Sequence, residues 1–386
     1  MRDAPIDKNT SAWLDVMRGG AAQAVLLGHL YQLFFFGSHG GPESQLVMLI
    51  HAAIIFVSRY SHEAVIVFFV LSGYLVGGPA ARSLMSGQFS WKEYLPARLT
   101  RLWTVLLPCL VLTFALDMVA TNFGTGLYFL KEWASIYPRD WVRADTWSLE
   151  RLFANAAFLI RVEKPMFGSN ISLWSLTNEF WYYVTLPAIV TVFIGGKAQR
   201  IFSAFALLSV AYVIYRLHNL SPGFIAGFGI WMLGAILHRI SARKSAPYIA
   251  LALLLTSGCL LWSVAPNPET IAHDALIGAA TAGVIGLARF VPARGFRAIG
   301  RFFAGYSFSL YAIHLPVLVL LFSFDPLTAI DRPYGGYDLL RFIGYAVATN
   351  LAAMAFWFAF EKRTASVKRA LRGTLLLSGS RGPNGI

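Results

Sequence analysis

The chain has 386 residues, 57% hydrophobic and 13% charged, with a formal net charge of +13 and a mean hydropathy of +0.59. That composition lies outside the soluble globular range and reads as a polytopic membrane protein. Its two cysteines, Cys109 and Cys259, exclude a disulfide framework and a cysteine-rich metal site, and both read as small core residues.

The opening MRDAPIDKNTSAW is polar and lacks the apolar stretch of a signal peptide, so insertion is expected to begin with the first apolar helix. No repeat of fixed period stands out, which argues against a solenoid. Apolar runs near 18–37, 64–81, 102–121, 174–194, 201–217, 222–238, 246–264, 273–290, 303–323 and 340–360 predict about ten transmembrane helices. The shorter run Gln45 to Ser58, which contains His51, predicts a re-entrant or interfacial helix.

The first span carries His29 inside the apolar part of AWLDVMRGGAAQAVLLGHLY. A helix places it roughly 16 Å beyond Arg18, near the middle of a ~30 Å hydrocarbon core. An ionisable group at that depth faces a bundle interior or an aqueous cavity and is a functional candidate. A neutral histidine bonded between helices fits this stretch equally well. Asp15 and Arg18, three residues apart, share a helix face and can pair.

In the second span VFFVLSGY, Ser72 and Gly73 permit close helix approach, and packing is the favoured role. At the start of the third, PARLTRLW sets Arg98 and Arg101 on adjacent turns, a geometry suited to multidentate phosphate binding. The pair taken alone favours an ordinary positive flank instead. The long segment from Thr121 to Leu173 interleaves Trp133, Tyr137, Trp141 and Trp147 with charged residues from Glu132 to Glu150. Interfacial anchoring is the first reading, and stacking on a sugar the second.

The fourth span enters through SLWSLTNEFWYYVTLP, with Trp174, Ser175 and Glu179; a carboxylate there must be hydrated, paired or protonated. Further on, YSFSLYAIHLP puts His314 roughly 20 Å along its helix from Arg301. His29, Glu179 and His314 thus share a depth, which does not by itself make them neighbours.

With ten spans and a cytoplasmic N-terminus, 22 of the 32 Lys and Arg fall on cytoplasmic segments, and six of the other ten lie in the long outer segment. Topology and attraction to anionic lipid therefore account for most of the net charge, with no need for nucleic acid. The expected architecture is all-α with both termini cytoplasmic. Residues 1–363 form one integral membrane domain, and 364–386 form a basic tail that begins as a surface helix and fades into disorder.

The blocks LDVMRGGAAQAVLLGH, FFVLSGYL, RLTR, LWSLTNEFWYY and YSFSLYAIHLPV, in this order and spacing, resemble the acyltransferase 3 family of integral membrane acyltransferases from Trp13 to about Arg363. The resemblance implies a roughly ten-helix fold that transfers an acyl group, commonly acetyl, from a cytoplasmic coenzyme A thioester to an acceptor, often an envelope or exported glycan. It implies that His29 matches the essential histidine, Arg98 and Arg101 the Arg-x-x-Arg motif, and Glu179 the acidic end of its block. Here Arg18-Gly19-Gly20 and Met17 depart from the usual first block without touching the chemistry. The absence of a C-terminal hydrolase-like domain argues against a two-domain relay.

The resulting expectation is catalysis by His29 as general base, less favourably as covalent nucleophile, with Glu179 and His314 as partners. Arg98 and Arg101 hold acyl-CoA; Asp15, Arg18, Ser72, Trp174 and Ser175 support; His314, Ser72 or a backbone donor stabilises the oxyanion. Acyl-CoA, foremost acetyl-CoA, is a substrate, and no cofactor or metal is expected to be bound. The acceptor is a glycan or lipid-linked sugar, membrane lipid is a partner, and the location is a bacterial inner membrane. A different class, a proton-coupled transporter or lipid-linked sugar flippase, would use His29, Glu179 and His314 as a proton relay.

Overall fold

In hydrocarbon a segment has to satisfy its own backbone polar groups, so apolar runs of this kind can only be helices. The computed structural model describes residues 6–35, 42–124, 146–241, 243, 245–264, 270–325 and 335–370. In order they form α1 (Lys8–Phe35), α2 (Gln45–Ser58), α3 (Ser61–Ser72), a π-helical turn (Gly73–Gly77), α4 (Gly78–Met85), α5 (Trp91–Phe123) and α6 (Leu149–Ala156). There follow α7 (Trp174–Ile194), α8 (Lys197–Leu217), α9 (Ser221–Ile240), α10 (Ala246–Val264), α11 (Ile271–Leu287), α12 (Arg297–Gly305), α13 (Ser307–Ser323) and α14 (Gly336–Ala359). An isolated β bridge pairs Ile160 with Lys164.

Among the described residues, six helical stretches are long and apolar enough to cross a membrane, and a seventh arises if α12 and α13, bent by 54°, form one broken span. The protein is therefore an all-α integral membrane protein. The two helices richest in site residues, α1 and α7, are not in that set, because groups such as Arg18, Gln23 and His29, or Asn178 and Glu179, dilute their apolarity. α1 is instead enclosed by α2, α3, α12 and α13. The bend at Tyr306 also corrects the straight-helix estimate that placed His314 relative to Arg301.

The short run expected at the interface is a separate helix, α2, which leaves Leu46, Leu49 and Phe56 exposed. Cys109 is buried, but Cys259 is exposed on α10, correcting its assignment to the core. An apolar run in a membrane helix does not distinguish the packed face from the lipid-facing one.

Chain ends that the charge count assigns to a common face do meet at one end of the bundle. Asp7 caps α1, accepting from the backbone amides of Asn9 (3.0 Å) and Thr10 (2.9 Å). Burial opposes its ionisation, but the Thr10 hydroxyl, these amides and nearby Arg289 outweigh that and hold its carboxyl below the usual value. Arg297 donates to Asn9 (2.9 Å), Trp13 to the Val291 carbonyl (3.0 Å), and Arg101 pairs with Glu361 (2.8 Å).

At the far end of α5, Asp117 has no exposed surface and anchors the segment that enters α7. It accepts from Ser169 N–H (2.9 Å), Ser169 Oγ (2.7 Å) and Trp147 Nε1 (3.1 Å). Gly168 reaches this position with φ +62°, where a Cβ would lie 2.3 Å from an Asp117 oxygen. Trp147 is thus an anchor in this network, and Glu150 pairs with Lys164 (2.8 Å). Trp133, Tyr137 and Trp141 lie outside the described residues, as does the tail beyond residue 370. Asp117→Ala leaves three half-buried donors without their acceptor and is expected to cost about 3 kcal/mol of stability, read as a lowered thermal midpoint in detergent.

Candidate active site

The site is built where α3 is pressed against α9. A Cβ on Gly73 would sit 1.8 Å from the Trp231 carbonyl oxygen, and one on Gly234 2.1 Å from that of Val70, so both positions require the missing side chain. This close approach agrees with the packing role read for the Ser72-Gly73 pair. It also brings Trp231 Nε1 to Ser72 Oγ at 3.1 Å. The π-helical turn that follows is a form found mostly where a helix serves a site.

Ser72 in turn donates to Glu179 Oε1 (2.6 Å), and Tyr183, one turn along α7, donates to the same oxygen. Glu179 is thus held by two hydroxyls. It bonds to neither imidazole, which corrects the grouping of Glu179 with the two histidines. The three-membered proton relay of the transporter reading is accordingly not assembled. Ser72, committed to Glu179, is not poised as an oxyanion donor.

His29 and His314 do meet. Their rings lie 5.0 Å apart, with His314 Nε2 3.1 Å from His29 Nδ1. His314 Nδ1 faces only carbonyl oxygens, those of Leu310 (3.1 Å) and Tyr311 (2.9 Å), so in the neutral ring it carries the proton and Nε2 is the acceptor. His29 Nδ1 also faces the Val25 carbonyl at 3.1 Å and is therefore the donor to both. This bonding pattern assigns the unprotonated nitrogen of His29 to Nε2. Both nitrogens of the fully buried His314 are engaged, so it is a positioning group rather than an oxyanion donor.

The arginines open into a cavity of about 440 Å³. Arg18, Arg98, Arg101 and Lys368 line it, as do Ser72, Ser175, Glu179 and Tyr311. Arg18 pairs with Asp15 (3.3 Å), as their spacing predicts, and Arg101 with Glu361. Arg98 has only the Tyr94 ring beside it, 5.4 Å away, and forms no ion pair among the described residues. The imidazoles do not line the cavity. Its wall includes Phe68 and Tyr311, whose rings are 5.6 Å apart, and Tyr311 lies 6.0 Å from the His314 ring.

Three participants escaped the sequence reading. Tyr311 shares hydroxyl bonds with Ser175 (2.5 Å) and the Ser172 carbonyl (3.0 Å), fixing α7 against α13. Its position three residues before His314, on the same helix flank, was a usable signal. Lys368 was counted only as part of a basic tail. Arg161, at φ +63°, lies over the Trp174 ring at 5.2 Å. Burial pulls its guanidinium below the usual value while Tyr311 opposes the shift. Nothing in its sequence neighbourhood announces this.

Two comparisons with known proteins bear on the site. The acyltransferase 3 family model, described as an acyltransferase domain, matches residues 11–360. The chain is also similar to a protein named O-acetyl transferase of Shigella phage Sf6, 31% identical over 186 residues, which is 48% of this chain and 47% of that protein. The match spans about half the length of this curated relative. No solved structure matches.

Proposed function

Because the chain belongs to the acyltransferase 3 family, we propose that it is a membrane O-acyltransferase carrying an acyl group, foremost acetyl, from cytoplasmic acyl-CoA to a hydroxyl of an envelope or exported glycan or lipid-linked sugar. The observation that carries this reading is the His29–His314 pair, with its basic nitrogen assigned to His29, beside a cavity mouthed by cations. The name of the phage relative supports an oxygen acceptor and an acetyl group. The reading includes ten spans, both termini in the cytoplasm and a bacterial inner membrane.

In this mechanism Arg98 takes the donor phosphates, and the pantetheine arm runs along the wall of Ser72, Glu179 and Ser175. The thioester must pass Phe68 and Tyr311 to reach His29. His29 Nε2 removes the proton of the acceptor hydroxyl as that oxygen bonds to the thioester carbonyl carbon. The C–S bond then breaks, and coenzyme A leaves as thiolate and takes the proton from the imidazolium. His314 keeps the acceptor nitrogen of its own ring on His29 Nδ1–H throughout, which steadies the imidazolium formed in between.

The test is mass spectrometry of envelope and secreted glycans from cells with and without the protein, paired with labelled acetyl-CoA and purified protein in liposomes. The expected result is an acetyl ester that appears only with the intact protein. Proton-coupled uptake by the liposomes, with no acyl transfer to any glycan, would overturn the reading in favour of a transporter.

A further inference from the structure

The chain does not leave the bundle at the end of α14. Past Phe360 it makes a tight 3₁₀ turn (Glu361–Arg363) and stays helical over 364–370, lying against α5. Which side of this segment faces the protein is recorded in its burial. Of residues 361–370, the three that are not exposed are Glu361, Thr364 and Lys368, spaced i, i+3 and i+7 and therefore on one flank. Val367, the one large apolar residue of the segment, is 38% exposed. A helix that turns polar residues inward and its valine outward is facing polar groups, not an apolar surface.

Two of the three inward residues meet such groups within the protein. Glu361 pairs with Arg101 (2.8 Å) and accepts from Ser309 Oγ (2.7 Å), and the Thr364 hydroxyl meets that of Thr104 at 3.1 Å. These contacts pin the segment to α5 and α13. The third residue, Lys368, is thereby carried to the lining of the 440 Å³ cavity, which Arg18 enters from α1 and Arg98 and Arg101 from α5.

Arg18 is balanced by Asp15 and Arg101 by Glu361, whereas Arg98 and Lys368 enter no ion pair among the described residues. Glu179, on the same lining, is held by the hydroxyls of Ser72 and Tyr183. Cations gathered on one space repel each other, and an anion that enters relieves that cost. An ammonium on a long stem is a compact point charge that follows a phosphate oxygen without needing the planar fit of a guanidinium. We propose that residues 361–370 form a wall of the donor site, and that Lys368 takes an oxygen of a donor phosphate in company with Arg98. The proposal rests on the reading of the donor as acyl-CoA. It also gives the Arg101–Glu361 bridge a purpose, since that bridge holds the wall that carries Lys368.

The test is calorimetric binding of CoA to the full-length protein in detergent, and of pantetheine, which has the arm without the phosphates. Hydrogen bonds to charged groups are worth tenfold or more, so Lys368→Gln is expected to weaken CoA about tenfold and to leave pantetheine unchanged. Lys368→Arg should recover most of the loss. Arg369→Gln, which removes the same charge from the exposed flank, should bind CoA as the parent does. A variant that had merely lost its fold would lose pantetheine as well, so equal loss of both ligands would overturn the proposal. Arg369→Gln as weak as Lys368→Gln would also overturn it, reducing Lys368 to general charge on the segment. A parent that binds CoA, with undiminished affinity in Lys368→Gln, would remove this proposal alone and leave the donor reading standing. A parent that binds no CoA would overturn the donor reading, and this proposal with it.

Discussion

Alanine in place of His29 is expected to lower acyl transfer by about 10²–10⁴-fold, the usual contribution of a positioned general base, while insertion and thermal stability stay near those of the parent. Stability should hold because the imidazole keeps some accessible surface and its ring bonds only to Val25 and His314. His314→Phe separates positioning from chemistry. It removes one of the two acceptors of His29 Nδ1–H and leaves the Val25 carbonyl to hold the tautomer, so turnover should fall by less than in the His29 variant while the Michaelis constant for acyl-CoA stays unchanged. His314→Gln, which offers an acceptor again, should recover part of the loss. The measurement is kcat and KM for labelled acetyl-CoA in liposomes. Full activity in a well-folded His29→Ala protein would remove the residue from the mechanism.

How much of this was legible in the sequence depended on whether a signal was local. His29 and His314 could be found because an imidazole inside an apolar run is conspicuous. Their contact could not, since 285 residues separate them and depth along two helices leaves rotation undetermined. Glu179 was conspicuous for the same reason, but its real partner is a serine 107 residues away, brought there by the Gly73–Trp231 contact. Ser72 was read for packing and turned out to serve packing and polar bonding at once. Asp117 went unnoticed although it is fully buried, because the donors it serves, Trp147 and Ser169, belong to another part of the chain. The all-α membrane class followed from composition alone. The span count did not follow as directly, because α1 and α7, which carry His29 and Glu179, fall short of the apolarity that marks a span.

The two arginines of Arg-x-x-Arg, alike in sequence, are expected to behave differently. Arg98 lines the donor cavity without an acidic partner, so its loss removes a charge available to the donor phosphates. Hydrogen bonds to charged groups are worth about 1.5–3 kcal/mol, so Arg98→Ala should raise the KM for acyl-CoA roughly 10- to 100-fold with kcat little changed. Arg101 already spends its charge on Glu361, whose side chain is 6% exposed and also accepts from Ser309 N–H (3.1 Å) and Ser309 Oγ (2.7 Å). Arg101→Ala strands that carboxylate. Because Arg101 itself is 42% exposed, the cost is below that of a fully buried pair, about 1–3 kcal/mol, and should appear as a lower thermal midpoint with a smaller change in KM. Adding Glu361→Gln should restore most of the midpoint, since the amide oxygen still serves Ser309 and no longer needs a cation. If instead both alanine variants raised KM equally and neither lost stability, the Arg101–Glu361 bridge would not exist in the working protein. The two guanidiniums would then act as one phosphate clamp, with Glu361 released whenever the donor enters.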